Sequence, residues 1–213
     1  MTGQLAKLAT QVGQPKEFEQ IQNFCPSSMQ PPSVQLSRMQ PLMDFTQLKF
    51  WSVKDAQMMA HALDLAKQGM ACGEVPVGAV LVCDGQIIGE GYNQPISCHD
   101  ATAHAEIVAI KDACRRLQNY RLPAGTTLYV SLEPCTMCFG AMIHARVGRV
   151  VYATSEPKAG VVGSQLNLQA MPFYNHFVAV EHGLYQKNAA DMLSDFFRQR
   201  RQQKKAQKQK SGN

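Results

Sequence analysis

From residue 52 onward, hydrophobic positions fall into short blocks whose period switches between that of a helix and that of a strand. Ser52 with Asp55 three residues on forms a capping-box variant. Behind it Met59, Leu63, Ala66 and Met70 recur at helical spacing, which predicts a helix over about 53–70, broken at Gly73. Residues 75–93, VPVGAVLVCDGQIIGEGYN, change to a period of two, and Asp84-Gly85 is a tight-turn dipeptide; together they predict a hairpin. DATAHAEIVAIKDACRRLQ (100–118) returns to the helical period. TTLYVSL (126–132) is β-branched and aromatic and predicts a buried strand. A short helix follows Pro134 over 135–145. GRVVYAT (148–154) and HFVAVEHG (176–183) predict two more strands. The last helix, from about 188, places Met192, Leu193, Phe196 and Phe197 at i, i+4 spacings. A hairpin followed by alternating helices and strands predicts an α/β fold with a mixed sheet covered by helices on both faces. No internal repeat is present.

Residues 1–48 follow no period. The run CPSSMQPPSVQLSRMQP is rich in Pro, Ser and Gln and cannot bury enough apolar surface to offset its ordering entropy. It is expected to be a flexible extension; the alternative is a start of translation at Met39 or Met43, just ahead of the folded part. The folded domain is placed at 49–205, with 206–213 a basic disordered tail.

Composition adds three constraints. The 213 residues, 45% of them hydrophobic, suffice for one domain with a full core. No apolar run is long enough to span a bilayer, and the N-terminus lacks the features of a secretory signal or a transit peptide, so no membrane association is expected. The seven cysteines are odd in number with one close pair, Cys135 and Cys138, which points to a reduced, cytoplasmic setting and a metal or redox pair rather than a disulfide framework. The net charge of +5 is unevenly spread. RQRRQQKKAQKQK (198–210) holds seven positive charges and no acid, and the rest of the chain is slightly acidic. Such an arm either meets a polyanion or is a solvated tail.

The candidate chemistry sits in two stretches, ATAHAEIVAI (101–110) and SLEPCTMCFGA (131–141). Cys135 and Cys138, three apart, face the same side of the helix they begin, and His104 adds a ring nitrogen. Three N/S ligands with a fourth position open is the arrangement of catalytic zinc, whereas structural sites close with four protein ligands. Cys114 lies too far along its helix to join His104, while spacing alone leaves Cys98 open as a ligand. Both His104 and Cys135 stand at predicted helix N-termini, which favour thiolate over thiol. On an ideal helix Glu106 points away from His104, but in the first turn its carboxylate can reach past the helix end to a water activated by the metal and shuttle its proton. A purely structural zinc or a redox pair is the competing reading.

H-A-E followed by P-C-x-x-C resembles the signature of the cytidine deaminase-like zinc deaminases. VPVGAVLV, HDATAHAEI, LYVSLEPCTMCFGAMIHARVGRVVYA and LSDFFRQRR are similar to the bacterial tRNA-specific adenosine deaminases, over about residues 50–205. That resemblance implies a three-layer α/β/α sandwich with a mixed five-stranded sheet. It implies hydrolytic deamination of adenosine to inosine at the wobble position of the anticodon of tRNA(Arg). It places one zinc per subunit on His104, Cys135 and Cys138, the proton shuttle on Glu106 and a nucleoside contact on Asn93. It also implies a homodimer. With an anticodon stem-loop in view, Phe197 is a candidate to stack on a base, Phe196 or Phe197 being needed for the core, and Arg198, Arg200 and Arg201 are candidates for phosphate contact. Lys158 is a weaker candidate. Ser155-Glu156-Pro157 and Phe173-Tyr174 depart from the family pattern in loops. Two other functions compete: a deaminase of free nucleobases or nucleosides, which has no need of the basic arm, and a zinc-stabilised RNA-binding module, which has no need of Glu106.

Overall fold

The structure, a computed structural model, describes residues 51–211, with side chains up to 209. The extension expected over 1–48 and both alternative start methionines lie outside the described residues. The elements run α1 (Val53–Ala71), β1 (Gly78–Cys83), β2 (Gln86–Tyr92), α2 (Ala105–Leu117), β3 (Thr127–Leu132), α3 (Thr136–Ala145), β4 (Arg149–Thr154), β5 (Ala179–His182) and α4 (Gln186–Ser211). A single 3-10 turn, Leu168–Ala170, lies in the long β4–β5 connection.

The strands form one mixed sheet in the order β2-β1-β3-β4-β5. β1 is antiparallel to both β2 and β3, and β3, β4 and β5 are parallel. The alternation along each strand sorts side chains to two helical layers. Ala79, Leu81, Leu128, Val130, Val150 and Tyr152 pack with α2 and α3. Val80, Val82, Tyr129, Val151 and Ala153 pack with α1 and the start of α4. The expected α/β/α sandwich with a five-stranded sheet is therefore present.

Local signals explain the boundaries. Ser52 Oγ accepts from Asp55 N–H while the Asp55 carboxylate accepts from Ser52 N–H, so the capping box forms in full. Asp84 and Gly85 both have positive φ, 47° and 80°, as a two-residue primed hairpin turn requires. Gly89 and Gly91 on β2 lie directly under α2; a Cβ on Gly91 would come within 2.7 Å of Val108 Cβ and 2.8 Å of Ala109 N. The helix therefore sits unusually close to the sheet.

Two boundaries differ from expectation. α2 begins at Ala105 rather than at 100, because the Asp100 carboxylate accepts from Thr102 N–H and Oγ1 and turns the chain before His104. Residues 206–211, expected within the tail, continue α4. Residues 206–210 are Ala, Gln and Lys, all good helix formers, and only Ser211 stands between them and Gly212.

Candidate metal centre

β2 and β3 both pair antiparallel with β1, so they run in the same direction and end at the same edge of the sheet. α2 and α3 follow them on the same face. The two helix starts therefore meet. His104 is the N-cap of α2 and Cys135 the N-cap of α3, and neither uses its side chain to cap its helix. Both side chains are free to turn toward one point. His104 Nδ1 lies 3.7 Å from Cys135 Sγ and 3.6 Å from Cys138 Sγ. All three donor atoms lie within 4.8 Å of one another. A tetrahedral zinc with ordinary bond lengths separates an imidazole nitrogen from a thiolate sulfur by about 3.6 Å, so the trio fits that ion without rearrangement.

Among the described residues no further cysteine supplies the fourth position. Cys98, left open by spacing, is not in the cluster; its thiol is 3.6 Å from Gln94 Oε1. Cys83 and Cys114 donate to the carbonyls of Ala124 and Tyr120. Among the described residues no other His/Cys/Asp/Glu group could hold an ion. His176 bonds Val147 O at 2.7 Å and His182 stacks on Tyr152 at 5.1 Å, as structural groups do.

The electrostatics of the cluster suit a cation. A hydrogen bond from Cys138, outweighing burial and helped by His104, holds the Cys135 thiol down at about 4. Cys138 is pushed up by that same bond and by its burial, so the pair shares one proton that a metal would displace. His104 is raised, chiefly by its bond with Cys135. Glu106, second residue of α2, is buried at 4% exposure. Burial pushes its carboxyl up to about 7, with the Cys135 charge adding to the shift. An acid buried beside three metal-type donors is placed to take and give a proton near neutral pH.

Asn93 lies at the same edge. Its Oδ1 accepts from Ala105 N–H at 2.9 Å, one residue past His104. Gln94 N–H bonds Ala103 O at 2.9 Å, so the loop from β2 closes directly against the start of α2. The Asn93 carboxamide is thus fixed by its oxygen, leaving its Nδ2 the group with no bond among the described residues.

The remaining candidates divide. Phe196 is buried at 6% exposure while Phe197 stands 45% exposed, which separates the core member of the pair from the one able to stack. Arg198 pairs with Asp195, and the Arg200 guanidinium lies 5.5 Å above the Phe196 ring. Arg201 is exposed. Tyr174 packs edge-on against Phe139 at 5.8 Å, and Phe173 is exposed.

Two buried acids escaped the sequence reading. Glu74, 1% exposed, accepts from Ile96 N–H and from Ser97 N–H and Oγ, which fixes the loop after Asn93. Glu133, 3% exposed, accepts from the backbone of Glu156, Val162 and Ser164 and from Ser164 Oγ.

Residues 52–154 match the cytidine and deoxycytidylate deaminase zinc-binding region. The chain is 47% identical over 155 residues to a tRNA-specific adenosine deaminase of Haemophilus influenzae, covering 72% of this chain and 89% of that one. It is 42% identical over 153 residues to the tRNA-specific adenosine deaminase of Bacillus subtilis, covering 72% and 94%. A structure solved in a study of A-to-I editing by tRNA:A34 deaminases superposes with a TM-score of 0.62 at 43% identity, over 64% of this chain and 98% of that one. A guanine deaminase from Nitrosomonas europaea superposes with a TM-score of 0.57 at 25% identity, over 68% and 85%.

Proposed function

The chain belongs to the tRNA-specific adenosine deaminase family of zinc-dependent deaminases, and from that premise we propose that it converts adenosine to inosine at the wobble position of the anticodon of tRNA(Arg). The observation that carries this reading is the meeting of His104, Cys135 and Cys138 around a buried Glu106 at one sheet edge. In this reading the three residues are the zinc ligands. Zinc held there supplies Lewis-acid activation of one water molecule, bringing its pKa toward neutrality. Glu106 takes one proton from the attacking water and gives it to the purine ring nitrogen, then carries the second, from the added hydroxyl, to the departing amino group. The amine leaves C6 as ammonia and the oxygen remains as the inosine carbonyl. Asn93 Nδ2 is the donor aimed at the nucleoside. Phe197 stacks on a splayed base, and Arg198, Arg200 and Arg201 meet phosphates along the anticodon stem-loop. The enzyme works in the cytoplasm as a homodimer.

The basic end of α4, residues 198–210, is what favours RNA over a free base as substrate, since a guanine-type substrate offers no phosphate to its seven cationic residues. The test is to incubate the zinc-loaded protein with anticodon stem-loops bearing A, C or G at the wobble site, beside free adenine, guanine and cytosine, and to weigh the products. Deamination of the A-bearing hairpin alone, blocked by a chelator, supports the proposal. Turnover of a free base with none of the hairpin contradicts it.

A further inference from the structure

A groove of about 450 Å³ opens beside the metal centre, walled by Cys135, Met137, Lys158, Val161, Gln165 and Leu166. One wall is α3 and the other is the segment after β4. That segment has little regular structure to hold it. Its backbone meets the body at a bridge between Cys135 and Gly160, with a bond from Val161 N–H to Pro134 O, 3.1 Å, and Val161 and Val162 pack into the core. The polar anchor on either side of those valines is the Glu133 carboxylate. One oxygen accepts from Glu156 N–H at 3.0 Å and from Ser164 Oγ. The other accepts from Val162 N–H at 3.1 Å and Ser164 N–H at 3.0 Å. All four donors come from residues 156–164, and among the described residues no arginine or lysine is paired with this acid. Gly160 passes so close that a Cβ there would lie 2.3 Å from the Glu133 carboxyl carbon. A buried carboxylate satisfied by backbone and hydroxyl donors of one loop fixes that loop's shape, because moving the loop away would leave the buried acid without its partners.

We propose that Glu133 is a positioning residue for substrate: it holds the 156–164 loop in the conformation that forms the outer wall of the groove, and so presents Lys158 to the RNA flanking the target nucleotide. This rests on the RNA reading above. The carboxylate does not touch the reacting atoms, so its loss should weaken RNA capture more than it slows the chemistry.

Glu133→Gln keeps the shape and replaces one acceptor oxygen with an NH₂ that faces N–H donors. Gly160→Ala displaces the same loop while leaving the carboxylate intact. Both zinc-loaded proteins are assayed for KM and kcat on the A-bearing anticodon hairpin, with zinc content measured and with trypsin cleavage after the exposed Lys158 followed in the absence of RNA. The expected result is a KM raised about tenfold in each, with kcat within about twofold, zinc content unchanged and faster cleavage at Lys158. An unchanged KM in either folded variant overturns the proposal, as does a fall in kcat at unchanged KM or a loss of zinc that accounts for the defect. Should Glu133→Gln fail to fold, Gly160→Ala decides. If the native protein leaves the hairpin untouched, the RNA reading is what has failed. The cleavage rate then still judges the anchor, which an unaltered rate refutes.

Discussion

Gly91 sits on β2 beneath α2, and replacing it with alanine isolates how tightly that helix is registered on the sheet. Gly91 has no positive φ, so alanine brings steric conflict without backbone strain. The new Cβ would lie 2.7 Å from Val108 Cβ and Cγ1 and 2.8 Å from Ala109 N. Comfortable carbon contacts lie at about 3.5–4.0 Å, so helix and strand must part by about 1 Å. The Ala109 contact is backbone, and no rotamer change relieves it. α3 has no part in this contact, so His104 and Glu106 on α2 move relative to Cys135 and Cys138. A misplacement of about 1 Å costs about 100-fold in rate, and overpacking of this kind costs about 1–3 kcal/mol of stability. The assay is kcat on the A-bearing hairpin at zinc saturation, with denaturant unfolding in parallel. A zinc-replete Gly91→Ala protein with native kcat would show that the site tolerates movement of α2, and the reasoning that ties helix position to chemistry would be wrong.

Other outcomes follow from the same structure. Burial alone would raise the Asp55 carboxyl, but hydrogen bonds from Ser52, Arg149 and Tyr129 outweigh it and hold it down from 3.8 to about 2. A folded-state value below the unfolded one contributes stability that is present above about pH 4 and lost as pH falls toward 2. Asp55→Asn should therefore cost about 2–3 kcal/mol by urea unfolding at neutral pH, with the gap to the native protein closing on acidification. Replacing Arg198, Arg200 and Arg201 with alanine should raise the hairpin KM and flatten its salt dependence by about two to three in log–log slope while leaving kcat unchanged. Phe197→Ala should weaken hairpin binding by about 1–3 kcal/mol, and because the ring is exposed it should leave the melting temperature unmoved.

The layers of the fold were legible because the strand segments are apolar on both faces, as a sheet covered by helices on both sides requires. Ala79 and Leu81 against Val80 and Val82 already name two faces, and the structure sends them to two different helical layers. His104, Cys135 and Cys138 were legible because metal chemistry restricts residue type and spacing, and the common direction of β2 and β3 brings the two helix starts together. The start of α2 was misplaced because Asp100 offers the backbone a local turn that competes with the helix, and the apolar period does not register it. Phe196 and Phe197 were indistinguishable as neighbours in sequence; only the packing of α4 turns one inward. Glu74 and Glu133 carried no recognisable signal at all. Their donors lie 22 to 31 residues away and are mostly backbone N–H groups, which every residue but proline possesses.

The claim on which the account turns is that Glu106 moves the proton while His104, Cys135 and Cys138 hold the metal. The most direct measurement is the turnover rate of zinc-replete Glu106→Gln on the A-bearing anticodon hairpin. Full zinc occupancy is expected, with a rate lowered by about 10²–10⁴-fold. A native rate in that protein, or a loss that disappears once zinc is restored, would contradict it.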